Sequence, residues 1–287
     1  MQSRGKSFRL YSSMPSPYAV PAMFMIAAAL EEELKTALDI FQDVREIPAG
    51  GIRLRHALHR EREFWFLKTG IGPKRAASSL ERVLASIKPS RILVVGYGGG
   101  LDAELKLGSL IAVEKALTFR FDPNRPEWES GRIDGVYGLA DPDFLLKTAI
   151  SAGVASCTGA VLTSPHVLGD PVHKATVYRK FGASIVDMET AALARVATSR
   201  GIPLSCVRAI SDEAGDALLA PFSYDPTVGI PSRAVQVVSA GMRRMYKEWK
   251  EHTAVARENL RRFLLKYLEN AIPEQTGRPA GAPITRD

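Results

Sequence analysis

The chain has few of the residues that build metal sites or disulfide scaffolds. Its 287 residues include two cysteines, Cys157 and Cys206, and five scattered histidines. Two cysteines cannot form a disulfide framework or a four-cysteine zinc site. We therefore expect a protein of the reducing cytoplasm that holds no metal ion and no cofactor.

Three signatures of nucleotide-binding and hydrolase sites are also missing. The sequence contains no G-x-x-x-x-G-K-[ST] loop and no G-x-S-x-G turn. The glycine cluster at residues 96–100 fails the dinucleotide pattern G-x-G-x-x-G, because Leu101 occupies the position of its last glycine. A Rossmann cofactor site is therefore not expected.

The apolar run at residues 19–30 is too short to span a bilayer. It follows three basic residues and so resembles a signal peptide, which keeps export as an alternative. A buried strand that runs into a helix explains the run better, because the acidic residues 31–33 suit a helix N-terminus.

The net charge of +7 is concentrated at the two ends of the chain. Residues 1–20 contribute +3 and residues 242–287 contribute +4, so the body between them is neutral. Basic ends on a neutral body are more typical of solvated tails than of a nucleic-acid-binding face. We expect no nucleic-acid partner.

Strand patterns alternate with helical patterns along the middle of the chain. Strands are predicted at residues 64–67, 91–95, 110–113, 160–163, 183–186 and 204–210, and helices at 73–86, 188–199 and, as one helix or two, 231–271. Several strands are apolar throughout, which is typical of a sheet covered on both faces. The sequence predicts one α/β domain over residues 21–272, between a flexible segment at 1–20 and a disordered tail at 273–287.

Five short segments directly follow predicted strands. They are Glu31-Glu32-Glu33, Gly70-Ile71-Gly72, Gly96-Tyr97-Gly98-Gly99-Gly100, Asp187-Met188-Glu189 and Ser211-Asp212-Glu213. Ligands bind at the carboxyl ends of strands in open α/β sheets, so we expect these segments to meet in one crevice. Three of them carry carboxylates, which suits acid–base work on a bond whose cleavage builds positive charge.

Each segment also has a purely structural interpretation. The glycines can serve a tight turn, residues 31–33 can complement a helix dipole, and Asp187, Glu189 and Asp212 can cap helices. Spacing alone therefore predicts an α/β enzyme with clustered carboxylates and leaves its reaction open.

Taken together, five segments resemble the purine nucleoside phosphorylase and nucleosidase superfamily, and within it the methylthioadenosine/S-adenosylhomocysteine nucleosidases. The matching segments are AALEEE at 28–33, KTGIG at 68–72, VVGYGGGL at 94–101, VDMETAA at 186–192 and VRAISD at 207–212. The resemblance implies an α/β three-layer sandwich around a central mixed, partly closed β-sheet, assembled as a homodimer or larger homo-oligomer. It also implies a small-molecule purine nucleoside as substrate.

The resemblance assigns a role to each matching position. It implies that Asp212 is the general acid at the five-membered-ring nitrogen of the purine, that Ser211 orients its carboxyl, and that Glu33 deprotonates the attacking water. Glu189 would accept hydrogen bonds from the ribose hydroxyls, and Met188 would pack on the sugar. The other expected contacts to sugar, nucleophile or purine are Ile71, Tyr97, Gly98, Val167 and Leu168.

Two departures from the family bear on the nucleophile. Hexameric bacterial phosphorylases have an arginine where this chain has Val94, and losing that cation while keeping Glu33 favours water over phosphate. Tyr97 replaces a serine, so we expect its phenol to narrow the nucleophile pocket or reshape the site. Hydrolysis is the favoured reaction, with phosphorolysis and non-catalytic nucleoside binding as alternatives.

Two longer segments resemble the hopanoid-associated branch, which removes adenine from a lipid-linked adenosyl group. They are residues 119–138, with Trp128 and Tyr137 as lid aromatics, and residues 215–230. In that case a basic helix at residues 243–266 would touch a membrane surface through Trp249, Phe263, Leu264 and Tyr267. Packing of this helix on its own domain or on a dimer partner is the favoured alternative.

Overall fold

The computed structural model describes residues 23–122, 128–218 and 240–271, with side chains of the last helix from residue 253 onward. The two ends expected to be flexible or disordered, and all but the first residues of the segment 215–230, lie outside the described residues. The domain boundaries therefore stay a prediction.

One mixed sheet runs through the described residues. Its strands are Met23–Ala28 (β1), Arg45–Ala49 (β2), Ile52–His59 (β3), Arg62–Lys68 (β4), Arg91–Gly100 (β5), Leu110–Arg120 (β6), Arg132–Gly138 (β7), Ser156–Thr163 (β8), Ile185–Asp187 (β9) and Leu204–Asp212 (β10). They are ordered β10-β6-β8-β9-β5-β1-β4-β3-β2, with β7 beside β6 and a further pairing of β10 with β5. That further pairing closes β5, β10, β6, β8 and β9 into a ring, which confirms the expected partly closed sheet.

Helices cover both faces of this sheet. Those in the described residues are Glu31–Leu38 (α1), Pro73–Leu84 (α2), Pro142–Ser151 (α3), Pro171–Phe181 (α4), Thr190–Ser199 (α5) and Ala240–Ala271 (α6). One buried apolar cluster packs under α2 and α5, and a second packs under α1, α3 and α6. The three-layer α/β sandwich is confirmed.

Parallel pairing brings four of the five expected site segments to one edge of the sheet, whereas β9, which leads into the fifth segment at residues 187–189, runs antiparallel to β5. Strand β1 pairs in parallel with β4 and β5, and β5 pairs in parallel with β10. The carboxyl ends of these strands therefore point the same way, and ligands bind at such an edge. Helix α1 follows β1 there, and Asp212 ends β10.

Helix α4 is fixed at both ends by local chemistry. The Asp170 carboxylate accepts the backbone N–H groups of Val172 at 2.7 Å and His173 at 3.3 Å, which satisfies donors that a helix start leaves unpaired. Pro171 occupies the first turn, and Gly182 adopts φ 62° at the C-cap, a conformation that suits glycine. These caps set the position of Lys174 in the second turn.

Three expectations about local structure need correction. Strand β5 continues through residues 96–100, where a loop was expected, and α5 begins at Thr190 instead of Met188. The aromatics expected to form a lid are packed into the fold: Trp128 stacks on Phe119 with centroids 5.2 Å apart, and Tyr137 lies in β7, opposite Ala116 of β6.

The end of α6 packs on the body of the protein. Phe263, Leu264 and Tyr267 are buried in the cluster under α1, α3 and α6, while the Trp249 side chain lies outside the described residues. Burial of three of the four apolar side chains favours packing of the helix on its own fold over contact with a membrane. No helix in the described residues is long and apolar enough to cross a bilayer.

Candidate active site

Glu33 is buried where α1 meets the sheet. Its carboxylate accepts the backbone N–H of Leu30 at 2.8 Å and the backbone N–H of Tyr97 at 2.8 Å. The first bond is a capping contact, in which the side chain of the third helical residue, Glu33, accepts the backbone N–H of the N-cap residue, Leu30. The second ties the same carboxylate to β5. Glu33 therefore both caps α1 and faces the glycine-rich strand.

The glycines of β5 make room for charged groups. A methyl group built on Gly96 would lie 2.4 Å from Arg208 Nη1 and 2.6 Å from Glu33 Oε1, and one built on Gly99 would lie 3.0 Å from Asp212 Oδ2. Any side chain at these positions would displace the groups that pack there. The tight-turn interpretation is therefore wrong, because residues 96–100 continue strand β5. The glycines of this strand have no side chains, which leaves space for the carboxylates of Glu33 and Asp212.

Arg208 lies in the middle of β10 and is 1% exposed. Its Nη2 donates to Asp187 Oδ2 at 2.5 Å and to Thr190 Oγ1 at 2.8 Å. Thr163 Oγ1 donates to Asp187 Oδ1 at 2.6 Å. Buried charges require such pairing. Asp187 also accepts the Thr190 N–H at 3.0 Å, so its capping interpretation holds as well.

Glu189 does not cap a helix through its side chain. Its Oε1 accepts the N–H of Gly72 at 2.9 Å, and its Oε2 lies 3.7 Å from Arg208 Nη2. Burial and the negative charge of Asp187 raise the pKa of Glu189 well above its ordinary value. Burial likewise raises the pKa of Glu33, against the opposing effect of Arg208. A positive charge next to the carboxyl groups of Glu33, Asp187 and Glu189 would therefore be stabilised.

Asp212 is the last residue of β10 and is 3% exposed. Its Oδ1 accepts the Ser211 hydroxyl at 2.8 Å, and its Oδ2 accepts Lys174 Nζ at 2.6 Å. Ser211 Oγ also lies 3.3 Å from the carbonyl oxygen of Gly98. Both carboxylate oxygens are thus held in place by neighbouring side chains.

The Tyr97 ring packs against the cluster under α1, α3 and α6. Burial and the nearby charge of Glu33 raise the pKa of the phenol, so it stays protonated at neutral pH. The contact of Tyr97 with the Glu33 carboxylate is made by its backbone N–H. The expected narrowing of the nucleophile pocket by the phenol stays a prediction.

The other expected contact residues lie in loops near this edge. Ile71 and Met188 are half-buried beside Gly72 and Glu189 respectively, and Val167 is half-buried after β8. Leu168 is buried in a third apolar cluster. Their contacts with a nucleoside stay predictions.

Two central residues were not assigned a role from the sequence. The importance of Arg208 could have been inferred from the sequence, since it is a charged residue inside the mostly apolar strand predicted at 204–210. Nothing in the sequence distinguishes Lys174, because it lies among other polar residues of α4. In the described part of the chain, no three His, Cys, Asp or Glu side chains are grouped so that they could hold a metal ion.

Comparison with known families decides the identity of the fold. The phosphorylase superfamily matches residues 24–269. The chain belongs to this superfamily. Membership confirms the expected enzyme class, an N-glycosyl hydrolase or a nucleoside phosphorylase.

Individual relatives and solved structures agree with this assignment. The chain is 27% identical over 201 residues to a 5′-methylthioadenosine/S-adenosylhomocysteine nucleosidase of Bacillus cereus, covering 66% of this chain and 85% of that protein. The futalosine hydrolase of Helicobacter pylori superposes with a TM-score of 0.68 at 19% identity, covering 86% of this chain and 97% of that one. A 5′-methylthioadenosine/S-adenosyl homocysteine nucleosidase of Helicobacter pylori, solved in complex with a pyrrolidinol derivative, superposes with a TM-score of 0.68 at 19% identity, covering 88% of this chain and 100% of that one.

Proposed function

We propose that this enzyme hydrolyses the N-glycosidic bond of an adenine-type nucleoside and releases the free base and the sugar. One observation carries the proposal. Glu33, Glu189 and Asp212 come from distant parts of the sequence, yet all three are buried close to one strand or to its neighbour Arg208. Glu33 and Arg208 lie against Gly96 of β5, Asp212 lies against Gly99, and Glu189 lies 3.7 Å from Arg208. The relatives that are named as nucleosidases support the same reaction.

The two ends of the site suit the two ends of the scissile bond. As that bond lengthens, the sugar gains positive charge, which the carboxylates of Glu33 and Glu189 stabilise more strongly than the ground state. Asp212 gives a proton to the five-membered ring of the base, so that the base does not leave as an anion. Water adds to the anomeric carbon and passes its proton to Glu33. A positioned acid or base of this kind contributes roughly 10²–10⁴-fold.

Water suits the described site better than phosphate does. Binding a phosphate dianion requires cationic or backbone donors. The two buried cations among the described site residues already have carboxylate partners: Arg208 pairs with Asp187 and Lys174 pairs with Asp212. Val94, where the phosphorylases have an arginine, is a buried apolar residue of β5.

A substrate panel tests the proposal. Adenosine, inosine, methylthioadenosine, adenosylhomocysteine and futalosine are assayed for free base, with inorganic phosphate present and absent. We expect release of base from an adenine nucleoside at the same rate in both conditions, with an unphosphorylated sugar. A phosphate requirement with a sugar 1-phosphate product would indicate a phosphorylase, and purine binding without turnover would indicate a binding protein. The homodimer and the cytoplasmic location stay predictions.

A further inference from the structure

Lys174 is buried against the proposed acid. Its side chain is 0% exposed, and its Nζ donates to Asp212 Oδ2 at 2.6 Å, to the carbonyl oxygen of Glu213 at 2.7 Å and to that of Asp216 at 3.2 Å. A lysine ammonium has three donors, and each has an acceptor here. Lysines are almost never fully buried unless they are paired. The contacts therefore describe a fixed ammonium–carboxylate pair.

The pairing of Lys174 with Asp212 bears on where the proton that Asp212 gives to the base comes from. An ionised Asp212 accepts hydrogen bonds and has no proton to give. Within the described residues, the other hydrogen bond to its carboxylate comes from the Ser211 hydroxyl, which is not an acid at neutral pH. Lys174 is the acidic group in direct contact with Asp212 Oδ2.

The neighbouring acids are engaged elsewhere. The Glu213 carboxylate accepts the N–H of Leu107 at 3.0 Å and lies 3.6 Å from Lys106. The Asp216 carboxylate accepts the N–H of Glu213 at 2.7 Å. Both residues therefore contact Lys174 through backbone carbonyl groups, and Asp212 is the residue whose carboxylate accepts a hydrogen bond from Lys174.

We propose that Lys174 is a positioning residue that holds Asp212 and supplies, through it, the proton taken by the departing base. This inference rests on the proposed hydrolysis. As the glycosidic bond breaks, its electron pair stays on the base, Asp212 protonates the base, and a proton moves from Lys174 Nζ to Asp212. Water bonds to the anomeric carbon and gives its proton to Glu33. The total charge is unchanged, and solvent exchange later returns a proton to Lys174 while Glu33 loses one.

Two substrates with different leaving groups test this role. Adenosine needs a protonated leaving group, whereas 4-nitrophenyl β-D-ribofuranoside releases a stable anion without acid help. In Lys174→Met, we expect kcat/KM for adenosine to fall by roughly 10²–10⁴-fold, the usual contribution of a positioned acid. We expect the value for the 4-nitrophenyl riboside to fall by less than about 10-fold, because this step needs no proton from the acid end. Lys174→Gln is measured in parallel in case the methionine variant does not fold.

Two further variants separate this inference from the proposed function. Lys180→Met is the matched control, because Lys180 also lies in α4 but donates to the carbonyl oxygens of Glu129 and Gly131; both substrates should react as with wild type. Asp212→Asn should show the same selective loss as Lys174→Met. If Asp212→Asn keeps adenosine turnover, the proposed function fails. If Asp212→Asn is selective but the Lys174 variants lose both substrates equally, or neither, only the role of Lys174 is overturned.

Discussion

The two ends of the candidate site, named here for the base and the sugar that we propose they bind, differ in how their buried charges are balanced. At the base end, the single carboxylate of Asp212 meets the single cation of Lys174, and the two side chains are 4% and 0% exposed. At the sugar end, the carboxylates of Glu33, Asp187 and Glu189 share one buried cation, Arg208. One end is neutral overall, and the other carries an excess of acid.

This difference matches the chemistry expected at each end. In the proposed scheme, the ammonium–carboxylate pair loses one proton to the base while Glu33 gains one from water, so the buried site as a whole keeps its charge. Such a balance matters because isolated charges are costly in a poorly solvated site. Burial raises the pKa of both Glu33 and Glu189, and the negative charge of Asp187 raises the pKa of Glu189 further. In the proposed reaction, these carboxyl groups become favourable when the sugar turns cationic. Under the proposed function, Asp212 with Lys174 serves the departing base, and the acids around Arg208 stabilise the sugar as it gains positive charge.

The largest expected effect comes from removing the acid at the base end. Asp212→Asn should lower adenine release by roughly 10²–10⁴-fold, because the base then leaves without a proton. Steady-state release of adenine from adenosine measures this. Asp143→Asn, the same change at an exposed position of α3, should leave the rate unaltered. Equal rates for wild type and Asp212→Asn would remove Asp212 from the acid role.

Removing the cation at the sugar end should mainly affect stability. Arg208→Met leaves buried Asp187 and its acidic neighbours without their counter-charge, which costs about 3–5 kcal/mol when a buried pair is broken. Chemical denaturation measures the free energy of unfolding. Arg195→Met is the control, because Arg195 and Glu81 form a pair that is 54% and 50% exposed, worth about 0–1 kcal/mol. Similar losses in the two variants would contradict the account of the sugar end.

A smaller effect should appear in the pH dependence of stability. Since the pKa of Glu189 is raised from 4.5 in the folded state, its contribution to stability is fully present below the unfolded value and is lost as pH rises through the folded value. Glu189→Gln cannot titrate, so its stability relative to wild type should increase with pH in that window, by at most about 1.4 kcal/mol per pH unit.

Denaturation midpoints across a pH series test this prediction. Glu31→Gln supplies a control of opposite sign. Arg55 and Lys68 hold the pKa of Glu31 below its ordinary value, against the opposing effect of burial, so wild type should lose its advantage over that variant as pH falls. A pH-independent difference between Glu189→Gln and wild type would show that Glu189 is not held in an environment that favours its protonated form.

The fold could be predicted more completely from the sequence than the pairing of buried charges in the candidate site could. Apolar strands and helical periodicity are local patterns, and they indicated a covered α/β sheet. Residues 96–100 were expected to form a loop, but they continue a strand. A run of glycines looks the same in a loop and in a strand, and the reason for the glycines here, the close approach of Glu33, Arg208 and Asp212, depends on the tertiary fold. Lys174 looks like any polar helix residue until its tertiary partners are known. Side-chain pairing across the fold carries the information that spacing lacks.

The most direct test of the converging carboxylates is single-turnover adenine release by Glu33→Gln, with nucleoside binding measured separately. We predict that the rate falls by at least about 100-fold, because water is no longer deprotonated, while the dissociation constant for the nucleoside changes by less than about threefold, under 1 kcal/mol. An unchanged rate of adenine release would contradict the placement of Glu33 at the attacking water.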